Sequence, residues 1–334
     1  VYSDIHILSD IQSGVPQGSV LGAILFIIYI NDLCNARLKG KLTSFADDTA
    51  FCYDKSNWDL VQSDMTNDLR ALQWWFTTNH MLLSAEKTKF ILFSLKGSFN
   101  AFEQVKYSCA DCLDQQGVCV NNKCTYISRT NEIKYLGVFV DKEVSWKIHL
   151  NKLKGKINNI LRYFYFLKHL SNSDVLRTLY FALVQSRLEY GIILWGNTFN
   201  TYLNPILIQQ KHIVRLILYK SKFEHTQPLF VSLRILPLKY LFVYKVLKLF
   251  YLKSGNMPQN DNAYKQKLRN VDTFIVPKPR NVFFTKTYSF LAPRMFNLLP
   301  KKIKVAKNKY FFQFRLKKWL IKLEDISFLF TIQQ

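Results

Sequence analysis

Hydrophobic positions along the chain follow a helical period in most places and a strand-like pattern in a few short segments. The clearest helix begins after Asn57, whose side chain can cap it, and extends to about Asn79. Its apolar positions recur every three or four residues, at Val61, Met65, Leu69, Leu72 and Phe76. We expect this helix to pack through that face against a small sheet.

The helical period returns after Trp146 and continues towards the end of the chain. One apolar face follows Trp146, at Ile148, Leu150, Leu153, Ile157, Ile160 and Leu161. Further helices are predicted over Asp174–Tyr190, Leu203–Tyr219, Pro237–Leu252 and Phe311–Leu323. The intervening segment Ser254–Pro277 is polar and typical of a loop.

Strand-like segments lie on either side of an acidic pair, Asp47-Asp48. The pair is flanked by Lys41–Thr43 and Ala50–Tyr53, and adjacent aspartates favour turns over strands. We therefore expect a β-hairpin with the two aspartates at its tip. Two further strands are predicted, over Lys87–Leu95 and Ile133–Val140.

The acidic pair has two interpretations. Neighbouring carboxylates repel each other unless a cation lies between them, so a pair on a rigid turn is a natural Mg²⁺ site. In nucleotidyl transfer, such carboxylates hold two metals roughly 4 Å apart, which activate the attacking oxygen and stabilise the leaving one. An isolated pair is also typical of a solvated turn, and these residues alone leave both interpretations open.

A loop rich in glycine precedes the hairpin. Gly14, Pro16 and Gly18 allow a tight turn whose backbone can approach a ligand closely. Ser19 can cap the apolar helix that follows, and we expect that helix to end near Asn35. A glycine turn before a core helix is the alternative, but the order of loop, helix and acidic hairpin favours a functional site.

Together these motifs resemble a known family. The segments Ser13–Ser19 and Phe45–Asp48 resemble the palm of a reverse transcriptase of the non-LTR retrotransposon type, close to the jockey-like insect elements. Weaker similarity continues through most of the chain, at Leu83–Lys89, Ile133–Val138, Asp141, Trp146, His149, Leu188–Gly191 and Trp195-Gly196.

The resemblance implies an α+β fold. A partial polymerase palm, with an antiparallel sheet and packed helices, is followed by an α-helical thumb and a basic helical C-terminal region. We expect the palm over residues 1–142, with a cysteine-containing hairpin insert at about 96–130. The thumb or connection is expected over 143–253 and the basic region over 254–334.

The resemblance also implies RNA-directed DNA synthesis, in which a primer 3′-hydroxyl attacks the α-phosphate of a deoxynucleotide and pyrophosphate leaves. Asp47 is expected to bind Mg²⁺ (or Mn²⁺) directly, and Asp48 to be a weaker ligand or a support for the hairpin. Lys87 is expected near the pyrophosphate, or else as a solvent-facing lysine on a strand. The nucleotide and template pocket is expected at Gly14, Pro16, Gln17, Gly18, Phe45 and Ala46. The primer grip is expected at Tyr135, Leu136 and Gly137.

The family pattern contains a third catalytic aspartate, on a strand before the glycine-rich loop. Asp4 and Asp10 precede Gly14, but neither fits that pattern. We therefore expect a fragment that starts in mid-palm, without fingers, first palm strand or endonuclease domain, and that extends a primer poorly or not at all. A catalytically dead nucleic-acid-binding remnant and an intron maturase-like protein are the alternatives.

The charge of the chain changes along its length and indicates a polyanionic partner. Residues 1–92 contain seven Lys/Arg and ten Asp/Glu, whereas residues 93–334 contain 39 Lys/Arg and 13 Asp/Glu. The net charge of the whole chain is +23. We expect an RNA template, a DNA primer or target and deoxynucleoside triphosphates as partners. Three aromatic residues lie among these lysines and arginines, at Phe164, Tyr165 and Phe166. They could stack on bases or pack in the core.

No membrane partner is expected from the sequence. The apolar run Val20–Ile30 is eleven residues long, shorter than the roughly 20 of a membrane span, and no signal peptide is recognised. Family resemblance implies an intracellular, nuclear protein.

Four cysteines have the spacing C-x2-C-x6-C-x4-C, at Cys109, Cys112, Cys119 and Cys124. The first pair suits tetrahedral Zn²⁺, and four thiolates would close a structural zinc site. The second gap is short and no histidine lies among them, so free thiols on a β-hairpin are favoured over zinc. Cys34 and Cys52 are expected in the core.

Overall fold

The computed structural model describes residue 15 and residues 18–94, 101–107, 124–254, 274–279, 281–306 and 308–330. It divides into two compact units, Val1–Gly137 and Val138–Gln334. The chain combines many helices with small antiparallel sheets, which agrees with the predicted α+β class at this level of detail.

The first unit contains two long helices and several short strands. In chain order its described elements are α1 (Val20–Asn31), a 3₁₀ turn (Asp32–Asn35), β1 (Lys41–Phe45), β2 (Asp48–Cys52), α2 (Trp58–Thr78), β3 (Gln104–Tyr107), β4 (Thr125–Ser128) and β5 (Glu132–Tyr135). Strand β1 pairs antiparallel with β2, and β3 pairs antiparallel with β4. The predicted hairpin around the two aspartates is therefore present.

Side-chain caps begin both long helices, as predicted. The Ser19 hydroxyl accepts the N–H of Gly22 at 3.1 Å, and Asn57 Oδ1 accepts the N–H of Asp59 at 3.0 Å. Each cap satisfies an N–H that the first helical turn leaves without a partner. The 3₁₀ turn carries α1 on to Asn35, where the helix was expected to end.

Two small apolar clusters form the core of the first unit. One contains Leu33, Leu72 and Trp75, and the other contains Phe90, Leu92, Val105 and Ile127. Helix α2 contributes to both clusters through its predicted apolar face. Helix α1, by contrast, buries none of its residues.

Within the described residues, no helix has the length and apolar content needed to cross a bilayer.

The strand predicted over Lys87–Leu95 is wrong for the residues that are described. Residues 85–87 form a turn, and Phe90 forms an isolated parallel bridge with Arg129 instead of a strand. The turn is closed by Thr88, whose N–H and hydroxyl both donate to the Ser84 carbonyl, at 3.0 and 2.7 Å. Apolar alternation was therefore not sufficient to form a strand here.

The single strand predicted over Ile133–Val140 is also wrong. Strand β5 ends at Tyr135 because Leu136 and Gly137 have φ angles of 45° and 81°, in the left-handed region that breaks an extended chain. A new strand then begins the second unit.

The second unit is mostly helical. Its described elements are β6 (Val138–Asp141), α3 (Lys147–Leu167), α4 (Ser173–Leu179), a π-helical segment (Tyr180–Gln185), two helical turns (Ser186–Glu189 and Ile192–Trp195), α5 (Asn200–Ile217), α6 (Thr226–Leu233), α7 (Leu238–Ser254), a 3₁₀ turn (Phe284–Lys286), α8 (Tyr288–Asn297), a helical turn (Lys301–Lys304), α9 (Lys309–Lys322) and a 3₁₀ turn (Ser327–Leu329).

One continuous apolar core joins these helices. Helix α3 packs on α5, and α7 packs on α8 and α9. A buried amide links two of them: Gln210 Nε2 donates to the Tyr180 hydroxyl at 2.7 Å and the Leu236 carbonyl at 2.9 Å, and its Oε1 accepts the Leu238 N–H at 2.9 Å. All the hydrogen-bonding atoms of this amide side chain face partners at the junction of α5 and α7, which offsets the cost of burying them.

The helices predicted in this unit are confirmed, whereas α6 and α8 were not predicted. Burial distinguishes between the two alternatives for the aromatic residues of α3. Phe164 is 1% exposed and lies in the core, whereas Tyr165 and Phe166 are exposed. The prediction that Cys34 and Cys52 lie in the core is wrong, since both are exposed.

Candidate active site

Strands β1 and β2 are joined by a two-residue turn. Phe45 pairs with Asp48 across the hairpin, so Ala46 and Asp47 form the turn itself. Ala46 has a φ of 53°, in the left-handed region, and the Ser44 hydroxyl donates to its carbonyl at 3.3 Å. Asp47 and Asp48 are therefore consecutive residues at an exposed tip.

The chemistry of these two side chains suits a divalent cation. Among the described residues, neither carboxylate forms an ion pair with a basic side chain, and carboxylate oxygens are ligands that Mg²⁺ prefers. The described residues bring together no group of three or more His, Cys, Asp or Glu side chains that could hold a metal. The hairpin thus offers a carboxylate pair and not a complete ligand set.

A buried carboxylate holds the other end of the hairpin. Asp68 on α2 is 3% exposed. It accepts the N–H of Lys39 at 3.0 Å, the N–H of Gly40 at 2.8 Å and the hydroxyl of Tyr53 at 3.0 Å. Lys39 and Gly40 directly precede β1, and Tyr53 directly follows β2. One side chain therefore joins both strands of the hairpin to α2.

The ring of Tyr53 also packs closely against Gly40. A Cβ on Gly40 would lie 2.6 Å from Cε1 of that ring, so glycine is required for this contact. Burial, and then the charge of Asp68, raises the pKa of the Tyr53 hydroxyl. The hydroxyl consequently remains protonated and donates to the carboxylate.

Sequence reasoning missed Asp68, although a signal was present. The residue lies three positions after Met65 and four before Leu72, on the apolar face of α2. A carboxylate on a buried face requires hydrogen-bond donors. The two ends of the hairpin supply those donors, but only the folded chain identifies them.

The glycine-rich loop is described only in part. Gly14, Pro16 and Gln17 lie outside the described residues. Gly18 has a φ of 88°, and an added Cβ would meet nothing within 4 Å. Its backbone conformation, and not a close neighbour, therefore requires glycine.

The other predicted site residues lie on turns or in the undescribed part. Lys87 lies on the exposed 85–87 turn and not on a strand. At the predicted primer grip, the Tyr135 hydroxyl is buried and has no hydrogen-bond partner among the described residues. Three of the four clustered cysteines lie outside the described residues, namely Cys109, Cys112 and Cys119. Cys124, directly before β4, is half-buried.

Motif residues of the second unit cluster around the start of α3. The Asp141 carboxylate accepts the two backbone N–H groups before the helix, at 2.9 and 2.8 Å. Nδ1 of His149 accepts the N–H of Phe139 at 3.4 Å, and the His149 ring centre lies 5.7 Å from that of Trp195. These contacts join β6 to α3 and give the motif a structural role in this unit.

Comparison with known proteins identifies the family of the first unit. Residues 8–140 match the reverse transcriptase (RNA-dependent DNA polymerase) family. This range contains the acidic hairpin, the glycine-rich loop and the Asp68 contacts. No solved structure is significantly similar to the chain.

Relatives extend the similarity to about two thirds of the chain. The "RNA-directed DNA polymerase from mobile element jockey" of Drosophila funebris is 28% identical over 236 residues, 67% of this chain and 24% of that protein. The "Probable RNA-directed DNA polymerase from transposon X-element" of Drosophila melanogaster is 25% identical over 228 residues, 65% and 23% of the two chains. The "Retrovirus-related Pol polyprotein from type-1 retrotransposable element R1" of Bradysia coprophila is 25% identical over 221 residues, which are 64% of this chain and 20% of that protein.

The chain spans a quarter or less of the length of these relatives. The family match covers most of the first unit and the first three residues of the second, and the relatives' similarity extends over more of the chain than that match covers. The two comparisons agree on one kind of protein. Residues 8–140 therefore belong to the reverse transcriptase family, and the chain is related to the RNA-directed DNA polymerases of non-LTR retrotransposons.

Proposed function

We propose that the chain is the part of a non-LTR retrotransposon reverse transcriptase that carries two of its catalytic carboxylates. The observation that carries this proposal is the pair Asp47-Asp48 at the exposed tip of a hairpin whose base is fixed by Asp68. The corresponding substrates are an RNA template, a DNA primer or target and deoxynucleoside triphosphates, and the corresponding compartment is the nucleus.

Asp47, within the turn, is assigned as a direct ligand of Mg²⁺ or Mn²⁺. Asp48, the first residue of β2, is assigned as a weaker ligand or as a support for the turn. A bound metal pair stabilises the charge that develops on the phosphate oxygens during transfer. The protein presents both carboxylates without competing ion pairs among the described residues.

The remaining roles follow the family pattern. The glycine-rich loop and the hairpin residues before Asp47 would shape the nucleotide and template pocket, the turn after β5 would position the primer, and Lys87 would face the pyrophosphate. Residues 1–142 would correspond to palm, residues 143–253 to thumb or connection, and residues 254–334 to a basic C-terminal region.

We further propose that the 334 residues alone extend a primer poorly or not at all. The apolar-Asp pattern that supplies a third metal carboxylate in this family is not found among them. Stabilisation of charge in the transition state carries most of the chemistry, so an incomplete ligand set costs orders of magnitude in rate.

Primer extension tests both proposals. The chain is assayed alone and as a chimaera that carries, before residue 1, the segment of the Drosophila funebris jockey polymerase that precedes the matched region. We expect extension with Mg²⁺ by the chimaera only. In the chimaera, Asp47→Ala should lower the rate by a factor on the order of 10² or more.

The matched control is Asp54→Ala, which removes the same charge from an exposed position just beyond β2. Equal activity of the two chimaera variants would refute the role of Asp47. Efficient extension by the 334-residue chain would refute its proposed inactivity.

A second function, nucleic-acid binding without catalysis, is favoured by the charge of the second unit. Residues 138–334 contain 34 Lys/Arg and nine Asp/Glu, and the four helices α3, α5, α7 and α9 contain no acidic residue. Binding to a phosphate backbone should weaken steeply as salt concentration rises. A chain that binds a primer–template in this way, in an inactive chimaera, would support the binding function over the catalytic one.

A further inference from the structure

A cationic cavity lies within the second unit, and no residue assigned to the polymerase reaction lines it. It has a volume of about 190 Å³ and lies between the π-helical segment with its following turn, α7 and α9. Three lysines line it, Lys245 and Lys248 from α7 and Lys317 from α9, together with a single carboxylate, Glu189. The cavity therefore contains more positive than negative charge.

The carboxylate is already committed to two partners. Oε2 of Glu189 forms an ion pair with Nζ of Lys245 at 2.5 Å, and Oε1 accepts a hydrogen bond from Nε2 of Gln185 at 2.7 Å. Within the described part of the chain, Lys248 and Lys317 have no carboxylate within 4 Å. Two lysines that line the cavity thus have no paired carboxylate among the described residues.

The surroundings of Lys317 add further positive charge. Nζ of Lys317 lies 5.6 Å from the centre of the Phe181 ring, and the guanidinium of Arg177 lies 4.9 Å from the same ring. Burial, and then Arg177, lowers the pKa of Lys317, Arg234 lowers it further, and Glu189 opposes this effect. Placing half-buried cations next to each other costs free energy unless an anion joins them.

We propose that this cavity binds a phosphate group. Lysine ammonium groups bind phosphate as point charges, and charge-assisted hydrogen bonds are the strong ones. The cavity is several times larger than the roughly 30 Å³ that one water molecule occupies in the liquid, so it has room for such a group. Tyr244 also lines the cavity, and its side chain carries a neutral hydroxyl donor.

The phosphate can come from a nucleic-acid backbone or from a free polyphosphate, since both present the same oxygens. This site goes beyond the proposed polymerase function, because it depends on no residue of the first unit. Its test therefore has an outcome that is independent of Asp47.

The experiment uses the 334-residue chain with two probes, inorganic pyrophosphate and a fluorescent mixed-sequence oligonucleotide. Calorimetry measures pyrophosphate binding to the wild type, Lys317→Gln and Lys318→Gln. Lys318 is the next residue of α9 and is exposed, so the two variants have the same net charge. We expect Lys317→Gln to weaken binding about tenfold or more, as for the loss of a charge-assisted contact, and Lys318→Gln to change it less than about twofold.

Equal weakening by the two substitutions would overturn the proposal, as would the absence of pyrophosphate binding to the wild type. If Lys317→Gln melts at a lower temperature than the wild type, Lys248→Gln tests the same site without that loss of stability. We expect Lys248→Gln to weaken pyrophosphate binding in the same way. Fluorescence anisotropy then separates the sources. If pyrophosphate displaces the oligonucleotide from the wild type but not from Lys317→Gln, the cavity binds the nucleic-acid backbone. If pyrophosphate binds without displacing the oligonucleotide, the cavity binds a free polyphosphate.

Discussion

The carboxylate of Asp68 accepts the hydroxyl of Tyr53 at 3.0 Å. Asp68 lies in α2 and Tyr53 directly follows β2, while the same carboxylate binds the N–H of Gly40 just before β1 at 2.8 Å. The tip that carries the acidic pair has no comparable contact with α2 among the hydrogen bonds of the described residues. The position of the tip therefore depends on the base of the hairpin.

Replacing Asp68 by Asn should loosen the hairpin. The substitution removes a charge that accepts several hydrogen bonds and turns one acceptor atom into a donor facing backbone N–H groups. Hydrogen bonds to charged groups contribute about 1.5–3 kcal/mol each, so we expect local destabilisation of about that size. Amide hydrogen exchange in β1 and β2, measured by mass spectrometry, should become correspondingly faster.

The control for this substitution is Asp64→Asn, one turn earlier on α2. Asp64 forms an ion pair with Lys55 at 2.9 Å near the surface, and such pairs contribute at most about 1 kcal/mol. If both variants exchange at the same rate in β1 and β2, Asp68 does not hold the hairpin in place.

Gly40→Ala should disturb the same base by a steric route. The new Cβ would lie 2.6 Å from the Tyr53 ring, so either the ring or the strand must move, at a cost of about 1–3 kcal/mol. Gly155→Ala is the matched control, because a Cβ at Gly155 in α3 meets nothing within 4 Å. That substitution should stabilise the helix by up to about 1 kcal/mol. Thermal unfolding in which Gly40→Ala is as stable as the wild type would contradict the close packing.

The Tyr53 hydroxyl should make the first unit sensitive to alkaline pH. Its pKa in the folded state is raised above the ordinary value of 10.0, first by burial and then by Asp68. The unfolded chain therefore releases this proton more easily, so the stabilisation is complete below pH 10 and declines as the pH rises above it. Tyr53→Phe should make hydrogen exchange in the hairpin less dependent on pH in that range.

Tyr126→Phe serves as the control for that measurement, since Tyr126 on β4 is 56% exposed. It should leave the alkaline dependence unchanged. The same pH dependence in wild type and Tyr53→Phe would show that another tyrosine is responsible.

Local signals predicted the elements that carry the acidic pair. Ser19 and Asn57 cap helices as their side chains and positions indicated, and the turn preference of adjacent aspartates placed the hairpin tip. Each of these features depends on residues within a few positions of one another, where the chemistry of the chain itself decides the conformation.

One local feature was missed, because the strand expected at Lys87 is a turn that the Ser84 carbonyl closes. Features that depend on distant residues were missed or left open. The core position of Phe164, one of two alternatives in the sequence, depends on the packing of α5 on α3. Asp68 joins segments that lie 15 to 29 residues away in sequence. Tertiary contacts of this kind override local pattern and propensity.

His149 should make the second unit sensitive to acid. Its Nδ1 accepts the N–H of Phe139, which requires a neutral ring, and burial, followed by the charge of Lys156, lowers its pKa from 6.5. The unfolded chain binds this proton more readily than the folded one, so stability is complete above pH 6.5 and declines as the pH falls below it. His149→Gln should lower the melting temperature at neutral pH, because the ring packs beside Trp195.

The decisive comparison is the change of melting temperature between a pH above 6.5 and a pH below it. The difference should be smaller in His149→Gln than in the wild type, whereas His169→Gln, at an exposed position beyond α3, should retain the wild-type difference. An undiminished difference in His149→Gln would mean that protonation elsewhere unfolds this unit in acid, and that the contact between His149 and Phe139 tolerates a charged ring.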